Sequence, residues 1–323
     1  MIEQQMDPMV CVVVLNWNNA PDTLACLESL SRLEYSNYSI LVVDNGSVDG
    51  SSDQVRAHFP DVEVLEIGSN LDYAEGNNVG IRHAMQTGAD YILVLNNDTL
   101  VAPTILTELV QVAESGPDTG MVGPTIYCTD PADKLFAAGS FVLWHTGDLC
   151  HRGMFQTPGP YARAQNPEPV DFIVGCGVLV RRQLIDVIGG LDPLYYLNYE
   201  DAEWGIRARR YGFKVLYAPR AVMWHKVSAT LGLASPANTY YMTRNALRFF
   251  WQNTPYYLRC LPMLRIMGRT LRTMLAWTVW AQYQDQVFRR KRTANLLALR
   301  DFFLGRFGEM GLDVARVCYG GEG

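Results

Sequence analysis

The sequence predicts an α/β protein with an open, mostly parallel β-sheet that is covered by helices on both faces. Over residues 1–125, short apolar runs typical of buried strands alternate with segments of helical spacing. Turns rich in Gly, Asn and Asp separate these segments. The 323 residues are 49% hydrophobic and 19% charged, which provides enough apolar side chain for a sizeable core.

The first part of the chain alternates predicted strands with predicted helices. Strands are expected over the apolar runs Val10–Leu15, Ile40–Val43 and Tyr91–Leu95, and over Val62–Ile67, in which two glutamates interrupt the apolar residues. A helix is expected over Pro21–Leu33, where leucine recurs at helical spacing, and another over Ala74–Thr87, which Gly88 ends. Because parallel strands need crossover connections, this order predicts a parallel sheet.

The later part is less regular. Residues 120–170 are rich in Gly, Pro and aromatic residues and predict irregular loops with short strands. Order returns with a strand over Phe172–Val180, helices over Arg182–Ile188 and Tyr199–Arg210, and a strand over Lys214–Tyr217. His225 lies just past this last strand.

Polar residues stand where several predicted elements end or begin. They are Asp44 after the second strand, Asn96, Asn97 and Asp98 after the fourth, Glu200 and Asp201 at a helix start, and His225. Open α/β sheets bind ligands at the carboxyl ends of their strands. A carboxylate there, with phosphate oxygens completing the shell, suits Mg²⁺ or Mn²⁺, and imidazole also suits a divalent metal.

Each of these residues has a structural alternative, which the sequence leaves open. Asp44 and the Asn96–Asp98 turn suit local turns in which the side chain bonds its own backbone. Glu200 and Asp201 suit the positive end of a helix dipole. Trp204 lies one turn after Glu200, where it either stacks on a sugar ring or packs in the core.

Charge and cysteine content exclude several classes of protein. The net charge of −6 argues against a nucleic-acid partner. Seven scattered cysteines without a Cys-x-x-Cys pair predict reduced thiols in a cytoplasmic protein. The N-terminus lacks the basic and apolar regions of a signal peptide. The absence of an uninterrupted apolar run of about 18 residues predicts no membrane span.

The C-terminal region carries a charge opposite in sign to that of the rest. From Pro255 onward the chain is near +6, and the remainder is near −12. Pro255–Trp280 interleaves Leu, Met, Ile and Trp with arginines, and Arg289–Arg292 is a basic cluster. This pattern predicts either peripheral attachment to the inner membrane surface, or a helical pair that packs on the first domain or forms a homodimer.

A set of short motifs is spread over residues 9–250. They are Val12–Asn18, Val42–Ser51, Asn70, Gly76–Gly80, Leu95–Thr99, Gly175–Arg182, Tyr199–Trp204, His225–Ser228 and Tyr240–Asn245. In this order they resemble an inverting family-2 glycosyltransferase of the GT-A fold, in its rhamnosyltransferase-like and galactofuranosyltransferase-like branch. The resemblance implies a GT-A catalytic domain over residues 1–254, divided near residue 125 into nucleotide-binding and acceptor halves. It also implies a C-terminal helical region over residues 255–323.

The resemblance further implies roles for individual motif residues. Contacts with the donor nucleotide are implied for Asn16, Trp17, Asp44, Asn77, Asn78, Asn96 and Asn97. Binding of Mg²⁺ or Mn²⁺ is implied for Asp98 and His225. Asp201 is implied as the general base, with Glu200 and Trp204 on the acceptor side. The chain departs from the family's metal motif at Asn96, where the family has a first carboxylate, and this removes one charge.

The implied reaction moves a sugar from a dTDP-, UDP- or GDP-sugar to a hydroxyl of a glycan or lipid-linked acceptor, in cell-surface polysaccharide synthesis. A galactofuranosyl- or other hexosyltransferase is the alternative within the fold. A sugar nucleotidyltransferase would carry a Gly-rich, basic triphosphate loop, which residues 16–22 lack. A non-catalytic carbohydrate-binding relative also stays open, although the presence of Asp98, Asp201 and His225 argues against it.

Overall fold

A computed structural model describes residues 7–226 and 235–320 of the chain. The chain divides into two compact units. The sheet unit comprises Met1–Phe141, His151–Leu191 and Trp204–Val227, and the helical unit comprises Val142–Cys150, Asp192–Glu203 and Ser228–Gly323. Val227 and Ser228, which end one of the sequence motifs, lie outside the described residues. The predicted domain boundary after residue 254 stays a prediction.

One sheet holds most of the strands in the described residues. The strands are β1 (Val10–Asn16), β2 (Tyr38–Asp44), β3 (Glu63–Glu66), β4 (Tyr91–Asn96), β5 (Thr99–Val101), β6 (Thr119–Cys128), β7 (Leu135–Ala137), β8 (Ser140–Leu143), β9 (Asp148–His151), β10 (Glu168–Pro169), β11 (Gly177–Arg181) and β12 (Lys214–His225). The sheet order is β10-β12-β6-β11-β4-β1-β2-β3, with β5 paired to β12 and β7 to β6. Strands β8 and β9 pair with each other.

The sheet is mostly parallel, as predicted. Strand β1 is parallel to both β2 and β4, and β12 is parallel to β6. Strand β11 runs antiparallel between β4 and β6. The crossover order read from residues 1–125 is therefore confirmed, and the antiparallel strand comes from the less regular part of the chain.

Helices cover both faces of this sheet. The helices are α1 (Ala20–Leu30), α2 (Ser51–His58), α3 (Asp72–Gln86), α4 (Ile105–Ala113), α5 (Arg182–Ile188), α6 (Glu200–Arg210), α7 (Pro236–Asn253), α8 (Cys260–Val279), α9 (Gln286–Phe303) and α10 (Leu312–Tyr319). Successive strand residues face opposite sides. Val12 accordingly belongs to a buried cluster with α1 and α4, and Val13 to a second cluster with α3 and α5.

Two glycines of the Gly76–Gly80 motif allow α3 to lie close against the sheet. A Cβ atom on Gly80 would lie 2.4 Å from Cγ1 of Val13 and 2.8 Å from Cγ2 of Val43. A Cβ atom on Gly76 would lie 2.9 Å from Cδ1 of Leu15. These separations are too short for carbon atoms, so the motif needs glycine at both positions for packing.

The structure corrects three of the sequence predictions. The strand expected over Phe172–Val180 begins only at Gly177. Residues 120–170 were expected to form irregular loops with short strands; β7, β8, β9 and β10 are such short strands, but β6 has ten residues and pairs with β11 and β12. Strand β12 was expected to end at Tyr217 but continues to His225, because the pairing resumes at Val222 after an irregularity that follows Ala218. Glycine and proline within these strands interrupt the sequence pattern without ending the strand.

The helical unit contains α7 to α10, which confirms the predicted helical C-terminal region. Tyr240 and Tyr241 of α7 pack in one buried cluster with Ala294 of α9 and Val314 of α10. Within residues 7–226 and 235–320, no helix has the length and hydropathy that a membrane span requires.

The close packing at Gly80 generates a stability prediction. Gly80→Ala should lower the free energy of unfolding by about 1–3 kcal/mol, because the added methyl group overlaps Val13. Gly268→Ala is the matched control, since Gly268 also lies in a helix but has open space where the Cβ would be. Urea unfolding followed by circular dichroism measures both. Equal midpoints for Gly80→Ala and the wild type would contradict the packing account.

Candidate active site

Neighbouring strand ends bring three of the predicted residues to one edge of the sheet unit. Asn16 ends β1 directly opposite Asp44, which ends β2. Asn96 ends β4, where it lies opposite Leu15. The carboxyl ends of these adjacent parallel strands therefore place Asn16, Asp44 and Asn96 side by side, which is the position where open α/β sheets bind ligands.

A buried hydrogen-bond network forms the floor of this edge. Asn16 Oδ1 accepts from the Thr23 hydroxyl at 2.7 Å and from Asn97 Nδ2 at 3.2 Å. Asn97 Nδ2 also donates to Thr23 Oγ1 at 2.9 Å, and Asn16 Nδ2 donates to Ser47 Oγ at 3.1 Å. Asn16 is 1% exposed, whereas the neighbouring Trp17 is 42% exposed. The amides thus fix the floor, and Trp17 offers a ring at its surface.

Asp44 organises the loop that follows β2. Its Oδ1 accepts from the backbone N–H of Ser47 at 2.9 Å, and its Oδ2 accepts from the Ser52 hydroxyl. The side chain is buried. Both oxygens therefore stabilise the local turn, which the sequence left open as the structural alternative to ligand binding by Asp44. The contact between Asp44 and the donor base stays a prediction.

Asn77 and Asn78 have different surroundings on α3. Asn78 bridges to Leu191, because its Nδ2 donates to the carbonyl oxygen at 2.9 Å and its Oδ1 accepts from the N–H at 2.9 Å. Asn77 Nδ2 donates to Tyr73 O at 2.8 Å within the helix, while its buried Oδ1 has no hydrogen-bond partner in the described part of the chain. Asn78 thus anchors a loop, and Asn77 retains an unused acceptor.

Asp98 and His225 meet because β5 pairs with β12. Thr99 lies opposite His225 in this antiparallel pairing, and the Lys226 N–H donates to Asp98 O at 3.0 Å. Asp98 Oδ1 lies 3.3 Å from His225 Nε2, yet this oxygen takes no hydrogen bond of good geometry. His225 Nδ1 also lacks one, and the Phe136 ring packs edge-on against the imidazole at 5.0 Å between centroids.

The charge state of His225 follows from this enclosure. Burial by itself lowers its pKa, but the neighbouring Cys176 sulfur and the Asp98 carboxylate raise the pKa more, to about 10. The imidazole is therefore a cation paired with Asp98 at neutral pH in the metal-free protein. A metal ion that binds the imidazole must displace this proton.

The pair fits part of a divalent metal site. Asp98 Oδ1 is buried and has no hydrogen bond of good geometry, and His225 Nε2 lies 3.3 Å from it, so these two atoms are suitable donors to one ion once the imidazole has lost its proton. Within the described residues, no group of three or more His, Cys, Asp and Glu side chains is arranged to hold a metal ion. Asp98 and His225 therefore supply two ligands, and substrate phosphates and water would have to supply the others.

The predicted acceptor-side residues lie on α6. Glu200 and Asp201 occupy its first turn in the helical unit, and the Ala202 N–H donates to Asp201 Oδ1 at 2.7 Å. Glu200 is buried. Trp204 is 1% exposed, and its indole N–H donates to Gly189 O at 3.0 Å within the core of the sheet unit. The burial of Trp204 favours the packing alternative over stacking on a sugar.

The sequence did not predict two residues on which this edge depends, Thr23 and Ser47. Thr23 joins Asn16 to Asn97, and Ser47 joins Asn16 to Asp44. Ser47 lies within the Val42–Ser51 motif, whose polar composition was the one available indication. Thr23 lies on α1 in a helical pattern, and nothing in that pattern distinguishes it from a residue that merely starts the helix.

The family comparison defines the class of protein, a nucleotide-sugar glycosyltransferase, and the fold is the GT-A arrangement. The model of the family "Glycosyl transferase family 2" matches residues 11–189, more than half of the chain. The chain belongs to this family, and its relatives place it in the rhamnosyltransferase-like branch, whose members build cell-surface glycans.

Curated relatives from two species are named as rhamnosyltransferases. The chain is 28% identical over 243 residues to the N-acetylglucosaminyl-diphospho-decaprenol L-rhamnosyltransferase of Mycobacterium tuberculosis, which covers 70% of this chain and 78% of the relative. It is 22% identical over 258 residues to the dTDP-rhamnosyl transferase RfbF of Shigella flexneri, which covers 77% of this chain and 82% of the relative.

Solved structures confirm the fold. A mannosyltransferase from Pyrobaculum calidifontis, crystallised with GDP-Man and Mn²⁺, matches with a TM-score of 0.57 and 16% identity, covering 94% of this chain and 89% of the other. TarS of S. aureus in complex with UDP-GlcNAc matches with a TM-score of 0.56 and 14% identity, covering 91% and 80%.

The contacts of Asn78 predict that it contributes mainly to stability. Asn78→Ala should lower the free energy of unfolding by about 1–3 kcal/mol, because it leaves the buried N–H and carbonyl of Leu191 without their partner. The affinity of the folded protein for a nucleoside diphosphate should change less than twofold. Asn77→Ala is the paired comparison. Loss of nucleotide affinity at unchanged stability in Asn78→Ala would instead make Asn78 a ligand contact.

Proposed function

We propose that this glycosyltransferase inverts the anomeric carbon of its donor and requires a divalent cation. The observation that carries the proposal is the buried Asp98–His225 pair at the carboxyl edge of the sheet, in which Asp98 Oδ1 has no hydrogen bond of good geometry and lies 3.3 Å from His225 Nε2. The names of the relatives support dTDP-rhamnose as the donor and a lipid-linked glycan as the acceptor. A hexosyltransferase with a UDP- or GDP-sugar donor is the alternative, and solved neighbours with such donors support it.

Asp98 and His225 would hold Mg²⁺ or Mn²⁺ against the donor diphosphate. Bound there, the cation would stabilise the negative charge that develops on the leaving nucleoside diphosphate. Asn96 stands where the family has a first carboxylate. The turn that contains Asn96 and Asp98 therefore carries one negative charge fewer than a turn with two aspartates. His225 compensates by supplying a nitrogen ligand from β12.

The remaining residues of the edge would bind the nucleotide. The floor formed by Asn16 and Asn97 is held in place by Thr23, and the exposed Trp17 ring can cover a base or sugar. Asp44 would contribute to nucleotide binding in two ways. Its carboxylate would contact the nucleotide, and the same carboxylate holds the loop as far as Ser52 in place. Asn77 would contribute its unused Oδ1 acceptor.

Asp201 would act as the general base. An acceptor hydroxyl is a weak nucleophile at neutral pH, so a carboxylate within hydrogen-bond reach removes its proton as the new glycosidic bond forms. The hydroxyl oxygen attacks the anomeric carbon from the side opposite the diphosphate, and this attack inverts the configuration. No enzymic nucleophile is needed. Glu200 adjoins Asp201 in the same turn and would bind the acceptor.

A non-catalytic carbohydrate-binding role is the competing function. Such a relative would bind sugars without turning over a donor. Release of nucleoside diphosphate from a nucleotide sugar in the presence of Mn²⁺ separates the two, because only an enzyme releases the nucleotide catalytically. The retained Asp98, Asp201 and His225 support the enzyme.

The metal proposal predicts a loss of donor affinity when the carboxylate charge is removed. Asp98→Asn should weaken donor binding in the presence of Mn²⁺ at least about tenfold, or roughly 1.4 kcal/mol, and should leave the metal-free affinity unchanged. Asp118→Asn is the control, because Asp118 is an exposed carboxylate that pairs with Lys214 on the surface. Calorimetry that gives one donor affinity with and without metal for both wild type and Asp98→Asn would refute the metal site.

The base proposal predicts that binding and chemistry separate at Asp201. Asp201→Asn should retain donor affinity and lose about 10²–10⁴-fold in transfer rate, since the amide cannot accept the proton. Glu203→Gln removes a carboxylate from the same turn and should retain most of the rate. Initial rates with a saturating acceptor measure both variants. Substantial turnover by Asp201→Asn would remove this residue from the mechanism.

We also propose that α8 attaches the enzyme to the cytoplasmic face of an anionic membrane. One face of α8 is buried through Met263, Ile266 and Thr270. A second apolar face, here called the α8 stripe, is exposed and consists of Leu261, Leu264, Leu271, Leu275 and Val279. A helix with an exposed apolar stripe and basic flanks is typical of interfacial attachment.

Charge favours a lipid surface over a second copy of the chain. Residues 255–284 contain four arginines and no Asp or Glu, so two copies of the stripe would bring like charges together. Arg272 is exposed beside the stripe, and Trp280 at its end is 56% exposed. Arginine and tryptophan are the residues that anchor helices at anionic lipid headgroups.

The α8 stripe generates a vesicle-binding prediction. The full chain should co-sediment with vesicles of phosphatidylcholine containing phosphatidylglycerol, and less with pure phosphatidylcholine. The double variant Leu264→Asp, Leu271→Asp should lose at least tenfold in binding, while Leu312→Asp, at an exposed leucine of α10, should bind as the wild type. Equal binding by all three proteins would refute the proposal. A dimer that the double variant dissociates would identify the stripe as a self-interface.

A further inference from the structure

The loop that precedes α6 has an unusual backbone. Three of its residues, Tyr196, Asn198 and Tyr199, have positive φ angles of 66°, 66° and 75°. This region is uncommon for residues other than glycine, and tyrosine has no local compensation for it. Such a conformation persists only where the surroundings hold it. Because Tyr199 directly precedes Glu200 and Asp201, this loop determines where α6 begins.

Asn245 of α7 holds this loop through its side-chain amide. Its Nδ2 donates to three backbone carbonyl oxygens, those of Tyr195 at 2.7 Å, Leu197 at 2.8 Å and Asn198 at 3.0 Å. Asn245 is fully buried. A primary amide has two N–H bonds, so three acceptors saturate it. The Tyr195 carbonyl also accepts from the Leu197 N–H within the loop at 2.8 Å, and Asn245 adds a bond from outside the loop to each of the three carbonyls.

Arg244 fixes the orientation of that amide. Its Nε donates to Asn245 Oδ1 at 3.0 Å, which points the Nδ2 group at the loop, and its Nη2 donates to Tyr195 O at 3.3 Å. Arg244 is itself fully buried and lies over the rings of Tyr240 and Tyr241. The guanidinium therefore has little freedom to release Asn245.

A second contact holds the beginning of the same loop. Arg248, one turn further along α7, lies 3.0 Å from Asp192 Oδ2 and stacks over Tyr195 and Phe307. The loop is thus attached to α7 at its start by Arg248 and along its strained part by Asn245. All of these residues belong to the helical unit.

We propose that Asn245, oriented by Arg244, is a positioning residue for sugar transfer. Its three hydrogen bonds set the loop, the loop sets the first turn of α6, and that turn carries the Asp201 carboxylate. The inference rests on the proposed role of Asp201 as the base. A displacement of about 1 Å in a reacting group can cost about 100-fold in rate, so release of the loop should affect the chemical step more than donor binding.

The test uses three substitutions on α7 in the full-length enzyme. Asn245→Ala removes the amide. Asn245→Asp keeps its shape but replaces the donors with a carboxylate that faces three carbonyls. Thr243→Val is the control, because the Thr243 hydroxyl donates to Asn295 on α9 at 2.7 Å and not to the loop. Asn245→Ser, which keeps one donor, replaces Asn245→Ala if that variant does not fold.

Both Asn245 variants should lose 10- to 100-fold in kcat, with donor KM within twofold of wild type and an unchanged donor Kd. Thr243→Val should retain the wild-type kcat even if its Tm falls as much as that of the Asn245 variants. In the Asp201→Asn background, Asn245→Ala should not lower the residual rate further, because the base it positions is already absent.

Three results overturn the proposal, and the first two leave the proposed function standing. If Asp201→Asn is inactive but the Asn245 variants keep their kcat, Asn245 does not position the base and the mechanism stands without it. If Asn245→Ala lowers the rate equally with and without Asp201, its effect is structural. Full turnover by Asp201→Asn removes the base assignment, and this inference falls with it.

Discussion

The antiparallel pairing of β5 with β12 is the constraint on which the account of the site depends. It sets Thr99 opposite His225, and so brings the Asp98 carboxylate within 3.3 Å of an imidazole far along the chain. Phe136 of β7 adds to the enclosure, since its ring packs on the imidazole. A buried carboxylate oxygen that lacks a hydrogen bond and lies beside an imidazole is the arrangement on which the proposed cation site rests.

The polar floor beside this pair has a complementary effect. Buried amides are costly unless they are hydrogen-bonded, and Asn16, Thr23 and Asn97 satisfy one another. Their geometry is therefore fixed before any ligand arrives. Trp17, by contrast, is exposed and free to meet a ligand. A rigid amide floor with one exposed ring is suited to a flat, polar group such as a nucleotide base.

The sequence predicted the parts of the fold that local pattern controls. Continuous apolar runs located β1, β2 and β4, because buried parallel strands need no polar face, whereas β3 carries the exposed Glu63 and Glu66. Strand β6 was missed because its glycines and its proline interrupt the apolar pattern, although the segment pairs with β12. The extension of β12 to His225 was missed for the same reason, as an irregularity after Ala218 interrupts its pattern.

The sequence predicted the chemical type of the site better than the contacts of its individual residues. Asp98 and His225 were identified from residue chemistry and family resemblance, and the structure brings their side chains together. Asn78 and Trp204 show the limit of this reading. The ligand contacts that their motif positions implied stay predictions, and the structure adds tertiary contacts of Asn78 with Leu191 and of Trp204 with Gly189. Such contacts depend on residues distant in the chain, which no local pattern reveals.

We propose that Asp98 and His225 bind a divalent cation together with the donor diphosphate. Pulsed electron paramagnetic resonance of Mn²⁺ with the enzyme and a nucleoside diphosphate measures the ligands of the ion. We expect one Mn²⁺ centre with both a ¹⁴N coupling, lost in His225→Gln, and ³¹P couplings from the diphosphate. A centre that shows ³¹P couplings but no ¹⁴N coupling would exclude His225 as a ligand and refute the proposed site.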